Sequence, residues 1–124
     1  TPVEFPLEAA GRSWRVWSWP AAPQDGSAGV AIVIRADWVR DMRVTVDTPL
    51  AGRIGRIRLK ANWVDMHLLS VYMPVTGIGR PECKSAWGVL ENVLESLPAR
   101  SSVVVGGDMN AHVTASKYLM VCDP

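Results

Sequence analysis

The chain has 124 residues, 48% of them apolar and 20% charged, and a formal net charge of +1. The length excludes more than one domain, read here as residues 1–124, and the composition fills a core and excludes a disordered tail. A charge this close to zero also excludes a protein-wide positive field, so contact with nucleic acid must come from a local patch.

The first predicted element is Trp14-Arg15-Val16-Trp17-Ser18-Trp19, a strand rich in aromatic and β-branched residues that stops at Pro20. Turn-forming residues fill the stretch from Ala21 to Ala28. Gly29 to Ile34 reads GVAIVI, a nearly continuous apolar run that predicts a central strand covered on both faces. Met42 to Asp47 alternates as a further strand. In Arg53 to Ala61 the residues Ile54, Ile57 and Leu59 are set among Arg56, Arg58 and Lys60, which buries one face. Asn62 begins a turn, and Asp65 to Tyr72 forms a hairpin partner that ends before Pro74.

Pro81 and Glu82 carry helix-start signals. Ala86, Val89, Leu90, Val93, Leu94 and Leu97 then recur at three- and four-residue spacing along one stripe, until Pro98. Ser102 to Val105 is a compact β-branched strand running into Gly106-Gly107-Asp108. The N-terminal stretch with Glu4 and Glu8 has no strand pattern, and both ends read as cut. Strands joined largely by hairpins, with a helix across a sheet face, predict an α/β layered fold.

Cys83 and Cys122 form no CxxC pair and no Cys/His cluster of zinc-ligand spacing; they read as two free thiols, with a disulfide as the alternative. No signal peptide and no apolar stretch long enough to cross a bilayer are present, so no membrane partner is expected.

Chemistry concentrates at Gly107-Asp108-Met109-Asn110. Two glycines let the backbone turn sharply, and Asp108 and Asn110, two apart in an extended segment, point to one side. A carboxylate to orient or deprotonate water, with an amide to stabilise phosphoryl charge, suits a phosphodiester hydrolase; a turn capped by Asp108 is the competing reading.

The succession GVAIVI, LLSVYMP, an amphipathic helix and SVVVGGDMNAH resembles, from Gly29 to His112, the middle of the endonuclease/exonuclease/phosphatase superfamily, also called the deoxyribonuclease I-like fold. It is most similar to the apurinic/apyrimidinic endonuclease branch and the endonuclease domains of non-LTR retrotransposons. Met109 stands where that pattern has phenylalanine, keeping an apolar anchor. The resemblance implies a partial four-layer α/β sandwich of mostly antiparallel sheets, lacking strands at both ends. It implies Asp108 as the catalytic aspartate, Asn110 as its phosphate-binding partner and Tyr72 as the tyrosine whose hydroxyl reaches the scissile phosphate.

Val75 departs from the asparagine that commonly follows the proline in nuclease members, and it offers phosphate no hydrogen bond. The family's early asparagine strand and metal-binding glutamate, and its terminal aspartate-histidine pair, have no counterpart; Glu4 and Glu8 are not that glutamate. The complete domain would use magnesium, but one aspartate would hold it weakly, so no metal ligand is assigned and the chain alone is expected to be inactive.

His112 is a candidate for substrate contact, against an exposed loop histidine, and His67 reads as structural. Arg53, Arg56, Arg58 and Lys60 form a basic run; Arg56 and Arg58 are the candidates for tracking a phosphate backbone, against a solvated strand face. Core packing is expected of most tryptophans, Trp14, Trp17, Trp63 and Trp87 among them.

The function implied is part of a metal-dependent phosphodiesterase, an endonuclease with DNA as the foremost partner. The alternatives are a phosphatase of lipid or inositol phosphates, or a non-catalytic binding module of the same fold. Self-association through exposed sheet edges is also expected.

Overall fold

The computed structural model describes residues 2–23, 26, 28–74, 80–113 and 120–122. Strands β1 (Val3–Ala9), β2 (Arg12–Pro20) and β3 (Gly29–Arg35) form an antiparallel sheet in that order. A four-residue helix, α1 (Ala36–Val39), leads into a second sheet of β4 (Arg43–Leu50), β5 (Ile54–Ala61) and β6 (Val64–Tyr72), again antiparallel. Helix α2 (Arg80–Glu95) then carries the chain back, so that β7 (Ser102–Asp108) joins β6 in parallel. Parallel neighbours need such a crossover, and a helix is the usual one. A short antiparallel pair follows, β8 (Ala111–Val113) with β9 (Met120–Cys122). The result is an α/β sandwich of two mostly antiparallel sheets, as the patterning predicts.

Two cores hold the layers together. Between the sheets lie Trp17 and Trp19 from β2, Val39 from α1, and Ile57 and Leu59 from β5. On the other face of the second sheet, Ile54, Leu69, Val71 and Met73 pack against Ala86 and Leu90 of α2. Strand pleating explains how β5 serves both: residues 55, 57 and 59 face the first sheet, while 54, 56 and 58 face the helix side. Gly55 belongs to the first set because the Trp19 ring lies directly on it, where a Cβ would collide with the ring carbons. The Trp19 indole N–H meanwhile donates to the Asp47 carbonyl at 3.0 Å.

Several expectations are corrected. The N-terminal segment is a strand after all: Val3, Phe5 and Leu7 alternate with Glu4, Pro6 and Glu8, and Pro6 is tolerated because β1 lies at the edge of its sheet. The GVAIVI run is not covered on both faces. Among the described residues β3 is the other edge of that sheet, and Val33 is half exposed. The apolar run tells of β-propensity, which does not itself supply a covering layer.

The basic residues Arg56 and Arg58 are also quieter than a free cationic stripe. Arg56 bonds Asp47 at 2.5 Å, and Arg58 holds both oxygens of Asp65 at 2.8 and 2.7 Å. The Arg58 hydrogen bond pulls the Asp65 carboxyl below the ordinary carboxylate range, and Asp65 in turn raises the Arg58 guanidinium. His67 is buried beside them in the structural role expected of it, and neither ring nitrogen has a hydrogen-bond partner. Burial first, then the Arg58 and Arg56 charges, lowers its pKa.

Cys83 is buried on the sheet-facing side of α2 and is disulfide-bonded, which overturns the free-thiol reading. Separation along the sequence says nothing of separation once a helix has crossed a sheet. No helix among the described residues is long and apolar enough to cross a membrane.

Candidate active site

Tyr72 and Asp108 are the last residues of β6 and β7, and the parallel register pairs them directly. Ligands of α/β sheets gather beyond the carboxyl ends of parallel strands, where side chains and loop backbone converge. Here the convergence is built by backbone hydrogen bonds. The Tyr72 N–H donates to the Arg53 carbonyl at 2.8 Å, and the Met73 N–H donates to the Asp108 carbonyl at 2.9 Å.

Gly107 makes this register possible. Its φ is +135°, and a Cβ there would run into the carbonyl of Val71 on the neighbouring strand. Only glycine fits where two backbones approach so closely. Gly106 meets no such neighbour.

Asn110 reaches the site by a different route from the one expected. It is not in an extended segment: its φ is +44°, in the left-handed region that asparagine tolerates better than most residues. The turn brings its backbone N–H to the Asp108 carboxylate at 3.0 Å, while its side-chain amide donates to the Met73 carbonyl at 2.7 Å. Asp108 and Asn110 are therefore brought together by the turn rather than by strand alternation. The competing reading, a turn capped by Asp108, describes the same hydrogen bond. Met109 packs against the α2-side core and anchors the turn from below, as an apolar residue there should.

A residue that sequence reasoning placed only in a basic run belongs to this cluster. The Arg53 guanidinium lies 4.8 Å from the centre of the Tyr72 ring and donates to the Tyr72 carbonyl at 3.3 Å. Its position just before β5 was the available signal, since the turn preceding β5 lies at the same end of the sheet as the exit from β6.

Arg56 and Arg58 do not join. Their register partners on β6 are Leu69 and His67, which put them on the helix side of the sheet, whereas Tyr72 and Asp108 alternate to the opposite side. Their guanidinium groups are committed to Asp47 and Asp65. His112 lies in β8, paired with Val121, and its side chain falls outside the described residues, as does Val75.

The cluster therefore offers an exposed carboxylate with one oxygen held by a backbone N–H, a half-buried tyrosine, an asparagine amide with one N–H still to donate, and a nearby guanidinium. Such a set can orient water and contact the oxygens of a phosphodiester. Among the described residues no three His, Cys, Asp or Glu side chains gather to hold a metal ion, so Asp108 would share magnesium with water and substrate oxygens and hold it weakly.

No family model matches the chain, and neither a curated protein nor a solved structure matches it. The likeness to the endonuclease/exonuclease/phosphatase superfamily rests on the motifs alone.

Proposed function

We propose that Tyr72, Asp108 and Asn110 are the phosphate-binding and water-orienting part of a phosphodiester hydrolase site that acts on nucleic acid, DNA foremost. The observation that carries this reading is the direct pairing of Tyr72 with Asp108 at the ends of two parallel strands. In it, Asp108 accepts a hydrogen bond from the attacking water. Asn110 and the Tyr72 hydroxyl donate to the phosphoryl oxygens, and Arg53 adds positive charge beside them. The resemblance in the GDMNAH and VYMP segments supports the choice of a phosphodiester over other esters.

One observation favours a second reading, a binding module of the same fold: among the described residues Asp108 has no cluster of His, Cys, Asp or Glu around it, and a lone carboxylate holds magnesium weakly. Nicking of supercoiled plasmid in magnesium, with EDTA and Asp108→Ala controls, tests whether the chain is catalytic by itself, and a mobility shift tests the binding that both readings share. The isolated chain is expected to leave the plasmid intact while retaining DNA in a mobility shift. Nicking lost in EDTA and in Asp108→Ala would make the chain a complete nuclease, and neither nicking nor retention would contradict both readings.

A further inference from the structure

The far end of the sandwich carries a second, unassigned surface. On β6, Met66 and Tyr72 are six residues apart, so this end lies about 20 Å from the Tyr72–Asp108 cluster. There α1 and the turn between β5 and β6 flank a cleft of about 530 Å³, floored by Ile34, Met42, Leu59 and Met66. Trp38 of α1 and Trp63 of the β5–β6 turn both line it. Trp63 is expected from the sequence to pack in the core, yet it is 75% exposed, and Trp38 is 62% exposed. A large aromatic held in water at the lip of an apolar cleft marks an interaction site.

Beside the cleft is a depression of about 250 Å³ lined by Arg12, Ser13, Arg35 and Arg40. Asp37 lines both hollows, and Arg35 stands at the seam between them, bonded to Asp37 at 2.9 Å and stacked on Trp38 at 5.5 Å. Arg12 and Arg40 are exposed, and among the described residues neither forms an ion pair.

We propose that this end binds single-stranded nucleic acid, with bases stacked on Trp38 and Trp63 and adjoining phosphates on Arg12 and Arg40. Every base offers a flat face to a tryptophan, and a guanidinium pair tracks the backbone between bases. A strand fits better than a free nucleotide, because a cleft of about 530 Å³ lined by two tryptophans leaves room for more than one base. The inference shares the substrate class proposed above but uses none of its residues, so either can fail alone.

The test is fluorescence anisotropy of a labelled twelve-residue oligodeoxythymidylate titrated with the full chain, with thymidine monophosphate as competitor. Trp38→Ala and Trp63→Ala are each expected to weaken binding about tenfold, with Trp63→Phe restoring much of it. The Arg12→Ala/Arg40→Ala pair is expected to lower the slope of log affinity against log salt by about 1.4. All four side chains are exposed, so folding should survive, as a circular dichroism melt would confirm. Affinity unmoved by both tryptophan variants, absence of binding, or competition by the mononucleotide at equal nucleotide concentration would each overturn the proposal.

Discussion

Gly107→Ala is expected to lower the midpoint of thermal unfolding by about 10 °C or more. Two costs coincide at this position. An alanine at φ +135° is strained by about 1–3 kcal/mol. Its Cβ would also strike the Val71 carbonyl, a backbone atom of the central partner strand that cannot swing aside as a side chain can. The chain can relieve the collision only by pulling β7 away from β6, which parts Asp108 from Tyr72. Gly106→Ala, whose Cβ meets open space, is the matched control and is expected to shift the midpoint far less. Equal shifts in the two variants, measured by circular dichroism, would show that the close approach at Gly107 is not what holds the register.

Gly55→Val should destabilise by about 3 kcal/mol or more, through a different mechanism. The added side chain occupies the volume of the Trp19 ring, which is 1% exposed. The ring must leave the space between the sheets, giving up its burial and its hydrogen bond to the Asp47 carbonyl. Because one side chain displaces another, the two positions must be coupled. Combining Gly55→Val with Trp19→Leu should recover at least about 1 kcal/mol relative to the sum of the single changes. Strict additivity in chemical denaturation would contradict the packing described between the sheets.

Much of the fold is legible in the sequence because its signals are local. The stripe from Ala86 to Val93 reports the apolar face of α2, and that face does join a core, whereas Ile54, read with Ile57 and Leu59 as one buried face of β5, lies on the opposite face and joins the other core. What periodicity cannot report is what lies opposite a face. GVAIVI reads as central, yet its covering layer is a matter of tertiary arrangement, and among the described residues β3 is an edge. Trp63 reads as core because tryptophan is large and apolar, but it sits at the tip of a two-residue turn where nothing packs over it.

The candidate site divides in the same manner. Asp108, Asn110 and Tyr72 were found through short motifs whose spacing survives in the sequence. Arg53 was passed over because its link to Tyr72 spans nineteen residues and depends on sheet register. Arg56 and Arg58 were drawn in by charge alone; register assigns them to the other face and ion pairs occupy them. The left-handed turn at Asn110 likewise has no signature in the spacing from Asp108, since two residues apart reads as one face only while the backbone stays extended.

Tyr72, Asp108 and Asn110 are proposed to form one phosphate-binding site. A titration of the isotopically labelled chain with a short DNA duplex, followed by amide chemical shifts, tests it most directly. The account predicts shifts concentrated at Arg53, Tyr72, Met73 and Asp108 to Asn110, and their loss in Asn110→Ala. Shifts confined to the Arg56 and Arg58 face, or a chain whose spectrum the duplex leaves unchanged, would contradict it.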